Sequence, residues 1–533
     1  MGSNKKVVVI GLDGGTLDLI ENWVKDGKLP TFSKIMKEGA YGELKSTIPW
    51  YSAPAWVSIV TGCQPGKHGI YDFFRTDSFR KKIVSSRLRR VPAVWNLLSE
   101  SDKKSIIVNV PGTYPPEEIN GVMITGLLTP SSDSNFTYPD SIKKELIPEK
   151  LGRYELEQVA VDDIPKNLTA RYAPEKLAEQ VNSITTSHAT VTMNLMEKYE
   201  WDFTMVVFRG TDDVQHLLWN RKDLILSCYQ KADEYIGEIM DRYPKALYII
   251  VSDHGFQQPK KYFYVNNALY NAGFLQTKGD LSRSIQAFSA AMFESMSKVL
   301  FHVLPMQKLV RSSIGRKLIL SSGVGGSIDF SNSKAFYHSV CSRGIRIIRK
   351  DKYGVGIVDE GNYEEVRENI IDFLRSIEDP ENGERIISKI YKWEELYGKN
   401  AVNDPLDIIF DLKDEYGAQE LLQPPQGFKS ILQTNELDTL SPPGFYDWIG
   451  DHKRDGIIFM YGRDVEHNKV KASVLDITPT ILAYLDIPIP TYIDGRVITE
   501  AFKNKLKVRY VERREKKLTE AELRRIRKLR LKL

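Results

Sequence analysis

Cysteine is scarce in this chain. Cys63, Cys228 and Cys341 lie far apart among 533 residues and are odd in number. They form neither a disulfide framework nor a zinc knuckle, and a reducing compartment fits them best. No apolar run is long enough to span a bilayer. The chain passes directly into Lys5-Lys6-Val7-Val8-Val9-Ile10 with no apolar signal region. Met1-Gly2 has the form of a myristoylation start, but Lys6 stands where serine or threonine is required. No internal repeat is present. These absences lead us to expect a cytoplasmic protein, in contact with a membrane only at its surface if at all.

Net charge is also small, +4, but it is unevenly placed. Residues 503–533 hold fourteen Lys and Arg against four Asp and Glu, a net +10, so the rest of the chain carries −6. The expectation is a mildly acidic body with a basic helical tail, Glu512 to Leu533, that suits an anionic partner such as a membrane surface or RNA. Tyr510 is the only aromatic residue of the tail, so base stacking is not indicated. A plain solvated helix explains the tail equally.

What is present is alternation. Val7 to Gly11, Ser105 to Val110, Phe203 to Phe208 and Ala246 to Val251 read as buried strands. Ala173 to Tyr199 and Leu224 to Tyr243 read as helices, and Asp476 to Leu485 as another. Strand signals resume at Ala335, at Gly344 to Ile348 and at Ile457 to Tyr461, and Thr129 to Thr169 reads as surface loops. Strands alternating with helices predict a parallel sheet covered on both faces, with functional side chains where strands end. Between them, Ile285 to Leu309 has the spacing of an amphipathic helix. It suits an insertion packed on the core or on a second subunit, or else a lid or membrane contact.

Histidine occurs only eight times, and three of these residues stand in settings that suit metal ligands. Asp212 and His216 are four apart after a strand, so one helical turn brings both to one face. Asp253-His254 follows another strand, Asp451-His452 lies after a glycine, and Asp13 follows the first strand. Mixed imidazole and carboxylate donors suit zinc, manganese or iron better than magnesium alone. Ser52 precedes Pro54 and an apolar run, which places it at or near a helix N-terminus, a position that favours anions. As an isolated feature Ser52 reads equally as an N-cap.

Together these pieces resemble the alkaline phosphatase superfamily, and within it the type I phosphodiesterase/nucleotide pyrophosphatase family. The matching stretches are Ile10-Gly11-Leu12-Asp13-Gly14, Ser52-Ala53-Pro54-Ala55-Trp56, Val60-Thr61-Gly62, His68-Gly69-Ile70, Thr211-Asp212 with His216, Ser252-Asp253-His254-Gly255, Gly450-Asp451-His452, and the closing Asp476-Ile477-Thr478-Pro479-Thr480 with Asp494-Gly495-Arg496. The resemblance implies an α/β three-layer sandwich with a mainly parallel central sheet, a variable cap insertion and, here, a basic C-terminal helix. The expected division is a catalytic core at 1–275 that is completed by 451–505. A helical insertion at 276–330, a cap with returning strands at 331–450 and a tail at 506–533 make up the rest. It further implies two divalent metal ions, one held by Asp212, His216 and His452, the other by Asp13, Asp253, His254 and the Ser52 oxygen. Ser52 would be the nucleophile, through a phosphoseryl intermediate, on a small-molecule phosphoester.

Three departures bear on the substrate. Sulfatases of the same superfamily need arginine where Trp56 stands. Nucleotide pyrophosphatases place an asparagine where Phe73 stands, and their nucleophile is usually threonine. A donor to the phosphoryl oxygens must therefore come from elsewhere, and Lys67, Arg75 and Arg209 lie close to motif residues. The favoured substrate is a phosphodiester or pyrophosphate. The alternatives are phosphomonoester hydrolysis, transfer of the phosphoglycerate mutase kind, or a non-catalytic scaffold that keeps the metal site.

Overall fold

Val7–Leu12 (β1) is buried at all six positions, and this explains its unbroken apolar run. Val7 and Val9 enter one hydrophobic cluster, Val8, Ile10 and Leu12 another. A strand's side chains point alternately to its two faces, so two separate clusters mean that both faces are covered. The structure is a computed structural model and describes residues 5–79, 81–156, 173–278, 328–420, 422, 431–434 and 449–512. The helix predicted at 285–309 and almost all of the tail helix predicted at 512–533 lie outside the described residues, as do residues 157–169 of the predicted loop region.

Along the chain β1 is followed by β2 (Ala40–Lys45), β3 (Ser105–Val110), β4 (Gly121–Thr125), β5 (Thr137–Tyr138), β6 (Phe203–Phe208) and β7 (Leu247–Val251). Short β8 (Gly255–Gln257) and β9 (Lys261–Tyr264) then lead away from the sheet. The stretch 331–450, expected as the cap and called so below, supplies β10 (Ala335–Tyr337), β11 (Gly344–Ile347), β12 (Ile387–Lys392), β13 (Ile408–Leu412), β14 (Tyr416–Gln419) and β15 (Leu432–Thr434). The chain returns through β16 (Asp451–Lys453), β17 (Asp455–Tyr461) and β18 (Asn468–Ser473).

Among the described residues, nine strands form the central sheet in the order β18-β2-β17-β7-β1-β6-β3-β4-β5. Five of its eight neighbour pairs are parallel, so the sheet is mainly parallel. Three are antiparallel, two of them because β17 runs against its neighbours. One face is covered by the Ser52–Thr61, Val94–Glu100 and Ile477–Tyr484 helices, the other by Leu17–Lys25, Pro30–Glu38, Pro174–Lys198 and Lys222–Arg242. The cap forms its own four-stranded sheet, β10-β11-β13-β12, over a third cluster that contains Ile345, Ile347, Ile408 and Phe410. No described helix is long and apolar enough to cross a membrane.

The reversed β17 positions the site. Its first residues lie beside the carboxyl end of β7, with Ile458 opposite Val251. Whatever immediately precedes β17 therefore arrives at the edge where the parallel strands end. The helix read as Asp476 to Leu485 is Ile477–Tyr484, preceded by a 3-10 turn at Val474–Asp476. That turn closes because Asp476 Oδ2 accepts from the Ser473 N–H at 2.9 Å.

Candidate functional site

β7, β1 and β6 are neighbours in parallel register, with Gly11 opposite Val251 and Leu12 opposite Phe208. Equal register makes their loops leave at one height, which brings Asp13, Arg209 and the Ser252–His254 turn together. Asp13 N–H donates to Phe208 O at 3.1 Å, and Thr211 Oγ1 donates to Asp13 O at 2.6 Å. Gly14 N–H, on a residue at φ +67°, donates to Asp253 Oδ1 at 3.2 Å. Asp212 and His216 share one face of the Gly210–Leu217 helix, with His216 Nε2 3.5 Å from Asp212 Oδ1. β16 pairs with β8 and sets His452 opposite Phe256, two residues beyond His254.

Ser52 opens the Ser52–Thr61 helix, which is buried at every position. A helix apolar all round belongs in a core, and this one ends at Gly62 in the left-handed conformation. Ser52 Oγ lies 3.3 Å from Asp13 Oδ1 and 3.3 Å from His254 Nε2.

Asp212, His254 and His452 form one group whose ligand atoms lie within 4.8 Å of one another, and Asp13, Asp253 and His254 form a second. His254 belongs to both, so the cluster is continuous. Carbonyl acceptors fix the ring tautomers, because a carbonyl accepts only. His216 Nδ1 donates to Gly450 O at 2.9 Å and His254 Nδ1 to Gly255 O at 3.2 Å. In the neutral rings each Nε2 lone pair then faces the cluster. His216 Nε2 and His452 Nε2 approach to 2.8 Å beside Asp212 Oδ1. Two ring nitrogens and a carboxylate so crowded either share a proton or converge on a cation.

The donor set fits divalent metal ions. Among the described residues only imidazole nitrogens approach the buried Asp212 Oδ1 and Asp253 Oδ2, His452 Nε2 at 3.3 Å and His254 Nε2 at 3.1 Å, and neither oxygen accepts a hydrogen bond of good geometry; an anionic oxygen at such depth is expensive without a cation. The charges left to themselves are strained. Burial, then Asp253 and Asp212, push the Asp13 carboxyl well above its ordinary range. Burial works on Asp212 in the same direction, but His216, His452 and Arg209 hold it below the usual range. Burial lowers His452, and His254 lowers it further; His254 itself is raised, because Asp253 and Asp212 outweigh its burial.

The four other residues singled out in the sequence separate. Arg209 joins the cluster edge, donating to Asp212 Oδ2 at 3.2 Å and to Asp213 Oδ1 at 2.5 Å. Lys67 donates to Asp494 Oδ1 at 2.6 Å and Tyr492 O at 2.7 Å. Arg75 grips the neighbouring Asp77. Both are thus committed to a carboxylate outside the ligand set. Phe73 packs on a small apolar group that includes Ala53 and Val57 of the Ser52 helix. His68, part of a matching motif, is structural. Its Nδ1 accepts from Ile70 N–H at 3.1 Å, so Nε2 carries the proton toward Ser58 Oγ at 2.9 Å.

Residues to which the sequence reading gave no role in the site complete it. Trp56 Nε1 donates to Asp13 Oδ2 at 3.1 Å, so this tryptophan orients the carboxylate of a candidate ligand. Its ring lies over Gly11, where a Cβ would fall 2.3 Å from Trp56 Cη2 and 2.8 Å from Val207 Cγ2. A glycine in an otherwise β-branched run was the available signal. Gly11→Ala is expected to lower stability by about 1–3 kcal/mol and to weaken metal binding, as the displaced indole releases Asp13. Urea unfolding and metal titration of the variant check this.

A family model described as "Type I phosphodiesterase / nucleotide pyrophosphatase" matches residues 7–399. No match is found among curated proteins. Among solved structures the chain is similar to human ectonucleotide pyrophosphatase/phosphodiesterase 5, at 13% identity and a TM-score of 0.50, over 94% of this chain and 100% of that one. It is similar to phosphonoacetate hydrolase from Sinorhizobium meliloti 1021, at 13% identity and a TM-score of 0.54, over 90% and 96%. It is similar also to a mutant of the alkaline phosphatase PafA, at 14% identity and a TM-score of 0.53, over 94% and 100%. At such identities these three likenesses concern the fold.

Proposed function

The chain belongs to the type I phosphodiesterase/nucleotide pyrophosphatase family, and on that premise we propose that it hydrolyses phosphodiesters or pyrophosphates with two divalent metal ions and a phosphoseryl intermediate on Ser52. One observation carries the reading: Ser52 Oγ stands 3.3 Å from Asp13 Oδ1 and 3.3 Å from His254 Nε2, inside a buried carboxylate and imidazole cluster. Asp13, Asp253, His254 and Ser52 would hold one ion, and Asp212, His216 and His452 the other. Their mixed donors favour zinc, with manganese or iron next. When bound, such ions activate the attacking hydroxyl or water and stabilise charge on the attacking and departing oxygens.

The chain's own groups do the rest. Asp13 Oδ1 accepts the Ser52 hydroxyl proton in a hydrogen bond that aims the oxygen. Trp56 keeps Asp13 from turning away. The helix N-terminus beneath Ser52 presents its positive end to phosphoryl oxygens. Ser52 Oγ bonds to phosphorus as the ester oxygen leaves, the hydroxyl proton passing through solvent to the departing oxygen; water then displaces the serine oxygen, one of its protons returning to Ser52 Oγ while its hydroxyl stays on phosphorus.

Charge supports a diester. A phosphomonoester brings two negative charges and a diester only one. Arg209, Lys67 and Arg75 are each already paired with a carboxylate. The free, buried Cys63, Cys228 and Cys341 support a reducing, cytoplasmic setting.

The test compares bis-p-nitrophenyl phosphate with p-nitrophenyl phosphate under zinc, manganese and iron. We expect kcat/KM for the diester to exceed that for the monoester by about tenfold or more, a difference of about 1.4 kcal/mol in transition-state binding. The reverse order would make the protein a phosphomonoesterase. Inertness toward both substrates under every metal would favour the scaffold.

A further inference from the structure

The loop between β10 and β11 carries an arginine into the core of the protein. Arg343 is 2% exposed, and its backbone lies at φ +49°, a left-handed conformation that is unfavourable for any residue with a Cβ. The guanidinium lies 5.0 Å from the ring centre of Trp50 and 5.8 Å from that of Tyr51. Its Nη2 reaches Asp451 Oδ2 at 3.4 Å. The same loop is pinned at its other end, where Ser339 Oγ donates to Asp72 Oδ2.

Asp451 is where this arginine meets the catalytic centre. Its carboxylate is buried and also accepts from Tyr51 OH at 3.3 Å and from the backbone N–H of His452 at 2.8 Å. Tyr51 directly precedes Ser52, and its ring lies 4.2 Å from that of His452. One carboxylate thus ties the segment that starts the nucleophile's helix to a candidate metal ligand 400 positions later. Arg343 is its only cationic partner among the described residues. Removal of that partner would leave a buried anion without a cation directly beside the candidate ligand His452.

We propose that Arg343 is a positioning residue: through Asp451 and Tyr51, the cap loop holds His452 and Ser52 in their mutual geometry. The metal cluster is then incomplete in its support without the cap. The inference rests on the function proposed above, but it concerns metal affinity, which is measurable without turnover.

The experiment compares the full chain with Arg343→Gln, Asp451→Asn and the double variant. Zinc affinity is read by competition with a chromophoric chelator, alongside kcat and KM on bis-p-nitrophenyl phosphate. Each single variant should bind zinc about 10- to 100-fold more weakly and lose kcat, with KM changed by less than about twofold. Because both act through one contact, the double variant should be no worse than the worse single. Added guanidinium ion should partly restore zinc affinity to Arg343→Ala. Wild-type zinc affinity in both single variants, multiplying losses in the double, or a rise in KM at unchanged kcat would overturn the proposal. If Arg343→Gln fails to fold, Arg343→Lys carries the test, with intermediate affinity expected and wild-type affinity overturning. An inert wild type whose zinc affinity still depends on Arg343 would sink the proposed function and keep this inference.

Discussion

Ser52→Ala is expected to lower turnover on the order of 10⁴-fold or more while it leaves folding almost unchanged. The large effect follows from where the hydroxyl sits. Among the described residues it is the hydroxyl that meets both Asp13 and His254, each at 3.3 Å. An alanine there leaves the cluster able to bind substrate but with no protein oxygen to attack phosphorus. Only direct attack by water on the substrate ester would remain. The small effect on folding follows from the same contacts. The hydrogen bonds are long, the helix is held by Trp56, Ile59 and Val60 in the core, and the change removes one atom. Stability should shift by less than about 1 kcal/mol. The checks are the rate on bis-p-nitrophenyl phosphate, the urea midpoint, and substrate retention at equilibrium. Wild-type protein quenched in acid during turnover should carry a phosphoryl group on the Ser52 peptide. A variant that keeps a tenth of wild-type turnover would remove Ser52 from the nucleophile's role.

Part of this architecture is legible in the sequence because the fold is redundant there. β3 and β6 are buried at every position, so their apolar runs mark their limits without ambiguity. Asp212 and His216 meet because helical geometry alone places residues four apart on one face. Other strands carry too few buried residues for that. β2, Ala-Tyr-Gly-Glu-Leu-Lys, and β18, Asn-Lys-Val-Lys-Ala-Ser, lie at one edge of the sheet and bury only three and two residues fully, one of the three a glycine. The placement of His452 is harder still. β16 has three residues, and it reaches the site because β17 runs backwards. No local pattern contains that reversal. For Lys67 and Arg75, closeness to a motif along the chain does not reveal their partners: Lys67 pairs with Asp494, 427 positions later, and Arg75 with Asp77. The roles of Trp56, Tyr51 and Arg343 depend on contacts across 43, 400 and 108 positions, and one sequence does not show these.

Removal of metal should have the second large effect, on activity and stability together. Asp13, Asp212 and Asp253 are all buried, and the ligand oxygens of Asp13 and Asp253 lie within 4.8 Å of each other. At an effective dielectric of about 20, two charges at that separation repel by about 3–4 kcal/mol. Arg209 offsets part of this at Asp212. The remainder opposes folding unless protons or cations answer it. Both are available, and they compete. Burial and its carboxylate neighbours raise Asp13, and Asp253 and Asp212 raise His254 against its burial. The stripped site therefore holds protons that the metal-loaded site must release. Zinc affinity should accordingly rise with pH, since at higher pH fewer protons remain to be displaced. Calorimetric titrations in two buffers of different ionisation enthalpy would read the released protons directly. With zinc at a thousandfold above its dissociation constant, binding should add about 4 kcal/mol to unfolding stability. Chelation should therefore abolish turnover and lower the urea midpoint, and restored zinc should recover both. Proton release of zero, or full turnover after metal analysis shows the site empty, would mean that these carboxylates and imidazoles converge for some other reason than to hold a cation beside Ser52.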